Sequence, residues 1–201
     1  RGLTKYLVRV AAINVAGRGA WSSPLTVTTL GGLASKPLNL VASAISPTTL
    51  TLSWDLPVTR HGLDISDYVV EYSNDGGVTW NEIIHSASAA RTFDVQGLAK
   101  GRAYRFRVSA INVVGQGAKS DVEFATTLTT KPEAPTDLVI SGVGSTSAQL
   151  KWTAPVDRGG LAITDFVIDI SSDGGVSWTR VADGVSSALS VGLAGLSGLT
   201  D

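Results

Sequence analysis

The sequence contains no cysteine, which excludes disulfides, thiolate metal sites and cysteine nucleophiles together. Methionine is absent as well, so the stretch is expected to be cut from a longer polypeptide. Only two histidines occur, His61 and His85, leaving little material for a catalytic triad or a zinc site. Charged residues make up 16%, and 16 basic side chains against 17 acidic ones leave a net charge of −1. No field of one sign therefore draws the chain toward nucleic acid or an acidic membrane. No apolar run approaches the roughly 18 residues of a transmembrane helix, and no signal peptide opens the chain. None of the asparagines stands in an Asn-x-Ser/Thr sequon, so N-glycosylation has no acceptor.

What is abundant is repetition. Shifted by 98 positions, the sequence matches itself without gaps, and Tyr6–Leu30 laid on Tyr104–Leu128 gives 14 identities in 25. Leu52–Trp80 laid on Leu150–Trp178 pairs Trp54 with Trp152, Pro57 with Pro155, Arg60 with Arg158, Asp67 with Asp165 and Asp75 with Asp173. Helical solenoid units run to about 20–50 residues, whereas about 100 is the size of an autonomous sandwich domain. Local pattern agrees. Leu50, Leu52 and Trp54 alternate with Thr51 and Ser53, and Tyr68, Val70, Tyr72 and Tyr104, Phe106, Val108, Ala110 repeat the period of two that turns one strand face inward. No stretch sustains a period of 3.6. The chain reads as all-β, with seven strands expected in the complete middle repeat: about 38–44, 49–54, 67–73, 78–84, 91–96, 103–112 and 118–127.

Those residues carry a resemblance. Trp54 with Pro57, Tyr68-x-Val70-x-Tyr72, then Leu98-x-x-Gly101-x-x-Tyr104-x-Phe106-x-Val108-x-Ala110-x-Asn112-x-x-Gly115-x-Gly117 resembles a fibronectin type III domain. The resemblance implies tandem immunoglobulin-like sandwiches. It makes Trp54 and Trp152 core tryptophans of second strands, and Tyr104 and Tyr6 the corner tyrosines opening sixth strands. Leu3 and Leu199 stand where Gly101 stands, so the turn before the sixth strand is expected to vary. On this frame, 1–30 are the last two strands of a first domain, 36–130 a complete domain, and 131–201 the first five strands of a third. Short linkers containing proline limit the angle between domains, so a semi-rigid rod is expected. The truncated repeats admit two explanations: a window on a longer array, which the duplicated Gly2-Leu3-Thr4 and Gly198-Leu199-Thr200 favour, or strand exchange between copies.

Candidate sites are few. Ser73-x-Asp75-x-Gly77-x-Thr79-Trp80 and Ser171-x-Asp173-x-Gly175-x-Ser177-Trp178 resemble the Asp-box hairpins of sialidase-type propellers, but recur once per 98 residues instead of once per blade. Asp-Gly-Gly supplies the positive φ of a tight hairpin, and the aspartate can accept from turn amides, so a structural role is expected. Trp80 and Trp178 are candidates for stacking on sugar, set against covering the sandwich edge. Trp21, whose repeat equivalent is Lys119, is a candidate contact residue. Asp64, Asp67, Asp75, Asp157, Asp165 and Asp173 lie near loops without pre-assembling a calcium cage. Glu71 and Arg107 are expected to oppose each other on the outer face of neighbouring strands. No catalytic, cofactor or metal residue is assigned.

The sequence thus predicts a structural spacer or fibre of tandem domains, secreted or at the cell surface, with a composition that suits a bacterial source. Expected partners are neighbouring domains of the same longer chain or strand exchange between copies. Two alternatives stand beside it: an adhesin whose domains bind glycan or a surface protein, and a non-catalytic linker of a secreted polysaccharide-degrading enzyme.

Overall fold

The structure, a computed structural model, describes residues 2–196. Every regular element among them is a strand. The chain divides into two compact units, Arg1–Leu98 with Arg102–Thr127, and Ala99–Gly101 with Leu128–Asp201.

The first unit opens with β1 (Lys5–Val8), β2 (Ile13–Asn14), β3 (Gly17–Arg18) and β4 (Leu25–Thr28). β1 pairs antiparallel with β4, Tyr6 opposite Val27, and β2 with β3. The sandwich follows: β5 (Leu38–Ser43), β6 (Leu50–Asp55), β7 (Asp67–Ser73), β8 (Asn81–Glu82), β9 (Thr92–Val95), β10 (Ala103–Asn112), β11 (Gly115–Lys119) and β12 (Glu123–Thr126). One sheet runs β5-β6-β9; the other runs β11-β10-β7-β8, with β12 also on β10. Between them lie Leu40, Leu50, Leu52, Trp54, Tyr68, Val70, Val95, Tyr104, Phe106, Val108 and Ala110, all buried, with Phe93 packed at the margin. The alternation produces this core directly, since a slip of one residue would turn each strand's apolar set to solvent.

Two expected strands differ. The strand expected over 78–84 shrinks to β8, because the amides of Val78 and Thr79 donate to the Asp75 carboxylate at 2.9–3.0 Å and leave the ladder. The strand expected over 118–127 is split at Ser120. There the Ser120 hydroxyl accepts from the Val108 amide at 2.9 Å, next to a bulge between Ser109 and Ile111.

In the second unit, β13 (Thr136–Ser141), β14 (Ser147–Thr153) and β17 (Ser190–Ala194) form one sheet, and β15 (Asp169–Ile170) pairs with β16 (Thr179–Arg180). Its buried cluster is small: Trp152, Ile168 and Leu193, with Leu150, Phe166 and Val191 packed beside them. The turn expected to vary does not differ in conformation where it is described. Leu3 has φ 53° and Gly101 φ 59°, so both are left-handed. Gly198, Leu199 and Thr200 lie outside the described residues.

Candidate functional site

The two Asp-Gly-Gly hairpins are built alike. At β7's end, the Ser73 hydroxyl donates to Asp75 Oδ1 at 2.7 Å and accepts from the Gly77 amide at 2.8 Å. Asp75 Oδ2 also accepts from the Thr79 hydroxyl, at 2.5 Å. Gly76 and Gly77 supply φ of 82° and 91°, conformations costly for a residue with a Cβ. Asp173 takes the same bonds from Ser171, Val176 and Ser177, with Gly175 at φ 91°. Both carboxyls are held well below the usual carboxylate range, Asp75 first by the Thr79 hydroxyl and Asp173 first by that of Ser177. Such saturated, weakly basic carboxylates close a turn; they are poorly suited to remove a proton.

Trp80 lies beside this turn. Its indole N–H donates to the Gly77 carbonyl at 3.1 Å, and the Arg107 guanidinium carbon sits 3.9 Å from its ring centroid. Arg107 is in turn bidentate on Glu71, at 2.8 and 2.9 Å, and Lys119 joins the same carboxylate at 2.8 Å. The register places Arg107 opposite Glu71, as the alternation predicts. Glu71, however, is only 9% exposed; Arg107 and Lys119 hold its carboxylate, and the Trp80 ring stacks on Arg107. The Arg107 hydrogen bonds, ahead of those from Lys119, hold its carboxyl below the ordinary value against the cost of burial.

The remaining candidates are scattered. Trp21 has the guanidinium carbons of Arg9 and Arg18 at 4.4 and 4.6 Å from its ring centroid. Trp178 is 64% exposed. Trp54 meets Tyr68 edge-on at 5.1 Å and Trp152 meets Phe166 at 5.2 Å. Tyr104 is buried between Tyr72 and Phe106, while Tyr6 on β1 is half exposed. His85 rests on Phe93, with its Nδ1 2.9 Å from the Ser86 carbonyl. Among the described residues, no three of His, Cys, Asp and Glu converge as a metal site would require.

Two of the loop aspartates have a role that sequence reasoning missed. Asp67 Oδ1 accepts from the amides of Tyr68 and Ser88, and Asp165 Oδ1 from those of Phe166 and Ser186, all within 2.8–2.9 Å. Each ties the start of its strand to a loop residue 21 positions on. The signal was present in the pairing of Asp67 with Asp165 and of Ser88 with Ser186 at the 98-residue offset.

Residues 35–126 match the family model described as fibronectin type III domain. Human myomesin-2 is 28% identical over 190 residues, covering 90% of this chain and 13% of that protein. Human receptor-type tyrosine-protein phosphatase F is 32% identical over 173 residues, covering 84% of the chain and 9% of its own. A crystal structure of titin domains aligns with TM-score 0.46 at 24% identity, over 53% of this chain and 36% of that one. The chain thus spans a small part of these curated relatives, all from animals, and they lend no support to the bacterial source expected from composition. Buried Trp54 and Tyr104, the two packed sheets and the family match together identify residues 35–126 as a fibronectin type III domain.

Proposed function

We propose that the chain is a structural, non-catalytic stretch of a longer protein, a window on tandem sandwiches that act as a spacer or fibre at or outside the cell surface. One observation carries this reading: the segment leading into the 36–126 sandwich is pinned to it by backbone bonds. The Ser35 amide donates to the Thr59 carbonyl at 2.8 Å, and the Thr59 amide donates to the Ser35 hydroxyl at 3.1 Å. Asn112 holds the Gly32 carbonyl at 2.9 Å, and the Ala118 amide donates to the carbonyl of buried Ala34. In the second unit the Glu133 amide donates to the Asp157 carbonyl at 3.0 Å, the same pair 98 positions on. A lead-in held this way keeps the preceding residues at a set distance, as a spacer needs and a free tether does not.

The test is a distance distribution between spin labels at Val15 and Gln96, both exposed positions of the first unit. A narrow distribution is expected, and four Gly/Ser residues inserted between Gly31 and Gly32 should broaden it. A parent distribution as broad as that of the insertion variant refutes the spacer. The adhesin alternative rests on Trp178, since guanidinium groups lie over the rings of Trp80 and Trp21. Binding to immobilised glycans that is lost in Trp178→Ala would favour it.

A further inference from the structure

The same lead-in contact is built twice in this chain, with side chains of different size and charge. In the first unit, Gly32 lies under the His61 ring: a Cβ on Gly32 would stand 3.2 Å from two of its atoms. Gly2 also faces residue 61, and a Cβ there would come within 2.7 Å of the His61 Cβ. The Gly32 carbonyl is turned away to Asn112. In the second unit the equivalent positions are Thr130, Gly159 and Lys100. Here the loop residue is the glycine, and a Cβ on it would run into the Thr130 carbonyl. The Thr130 amide donates to the Gly159 carbonyl at 2.9 Å. So a large loop residue meets glycines in one copy, and a glycine in the loop meets the lead-in backbone carbonyl in the other.

Charge follows the same reciprocity. Where position 2 is glycine, the residue 57 positions on is Thr59; where position 100 is lysine, it is Asp157. Lys100 and Asp157 form an ion pair, and Asp157 also accepts from the Gly159 amide at 2.8 Å. Backbone conformation does not explain the swap, because His61 and Gly159 are both left-handed, at φ 51° and 70°. The obstacle to a histidine at 159 is therefore the lead-in segment it would meet. Position 62 and its equivalent 160 are glycine in both copies, with a would-be Cβ 2.9 Å from the Gly2 carbonyl and 2.5 Å from that of Lys100. The invariant glycine admits the contact, and its neighbours decide which lead-in fits.

We propose that this loop face is a specificity surface: each sandwich accepts only the lead-in whose size and charge match its own loop, which fixes the order in which repeats follow one another. The proposal rests on the spacer reading and adds to it that the joints are not interchangeable. Steric mismatch of packed backbone is costly because neither side can yield without losing its own bonds.

The test uses the full chain. Gly159→His is expected to lower the unfolding midpoint of the second unit by about 5 °C or more, a size typical of one misfitted contact in a small domain. His61→Gly, which only empties space and relieves a left-handed histidine, is expected to shift the first unit's midpoint far less. Adding Lys100→Gly, Thr129→Gly and Thr130→Gly to Gly159→His copies the glycines that face His61 and should restore part of the loss. Lys100→Asp and Asp157→Lys should each lower the midpoint, with partial recovery when combined. Rescue separates matching from mere structural damage. Gly159→His without effect, or damage that neither compensated variant repairs, overturns the specificity surface. The Val15–Gln96 distance distribution, which involves none of these second-unit substitutions, decides the spacer reading by itself.

Discussion

Truncating Trp54 to alanine tests the core assignment most directly. Its side chain is 5% exposed and sits edge-on to Tyr68 at 5.1 Å, inside the single cluster that joins both sheets. Removing a buried tryptophan costs about 3–5 kcal/mol, from lost transfer energy and the cavity left behind. A domain's whole stability is about 5–15 kcal/mol, so the variant should lose a large fraction of it. Urea unfolding followed by far-ultraviolet circular dichroism measures the loss. With a slope of about 1–3 kcal/mol per molar for a small domain, the midpoint should fall by about 1 M or more. Because the chain holds two compact units, the curve is fitted with two transitions, and only that of the first unit should move. Trp152→Ala should move the other transition by less, since among the described residues only Ile168 and Leu193 share its buried cluster. A Trp54→Ala midpoint within about 0.3 M of the parent, with an unchanged slope, would refute the reasoning.

Glu71→Gln should cost about 1–3 kcal/mol at pH 7 by weakening charge-assisted bonds to Arg107 and Lys119. Because the Glu71 carboxyl is held below its ordinary 4.5, its contribution is complete above that value and is lost as pH falls through the lower folded-state value. Parent and variant should therefore draw together in thermal melts as pH falls below the ordinary carboxylate range; a gap that does not narrow in acid would contradict this. The Asp75 carboxyl is lowered further still, so the hairpin's Thr79 amide should keep its hydrogen-exchange protection at pH 3 and lose it only in stronger acid, and loss already at pH 4 would count against the turn geometry. Gly117→Ala would drive a methyl into the carbonyl of buried Ala34 and should lower stability by about 1–3 kcal/mol in the same urea assay.

The core was legible in the sequence because a period of two leaves no freedom: once Leu52 and Trp54 face in, the partners of β6 and β7 are fixed by their own alternation. What was not legible is what side chains do to the backbone locally. Nothing in the pattern of residues 78–84 shows that Asp75 will take the amides of Val78 and Thr79 from the ladder. Likewise, Ser120 looks like any strand serine until its hydroxyl replaces a backbone acceptor. Among candidate sites, alternation placed Glu71 opposite Arg107 but could not show that Lys119 joins the carboxylate and Trp80 stacks on Arg107, because those residues come from a neighbouring strand and a hairpin. The aromatic candidates fared unevenly for the same reason. An arginine outside the motif, Arg107, decides how much of the Trp80 ring is free, and exposure of Trp178 is a matter of which neighbours reach it.

Backbone conformation is preserved in this chain where residue identity is not, and that explains why a missing glycine misled the sequence reading. Leu3 and Gly101 differ, as do Ala44 and Gly142, His61 and Gly159, yet every member of each pair has positive φ. The turns at Leu3 and Gly101 share the bonds that follow the left-handed residue: the Thr4 amide donates to the Thr29 hydroxyl and the Arg102 amide to that of Thr127, both at 2.9 Å. The return bonds, from the Thr29 amide to the Thr4 carbonyl and from the Thr127 amide to the Arg102 carbonyl, are 2.9 and 3.0 Å long. Hydrogen bonds on both sides thus impose the left-handed residue, and Leu3 bears a conformational cost of about 1–2 kcal/mol that Gly101 escapes. Leu3 is half exposed, so replacing it sacrifices little burial. Leu3→Gly is accordingly expected to raise the first unit's stability by about 0.5–1 kcal/mol, the net of relieved strain and the greater freedom of glycine in the unfolded chain. Hydrogen exchange of the Thr4 and Thr29 amides should slow in step. Faster exchange at those two amides would mean that leucine's contacts, not the backbone bonds, hold the turn.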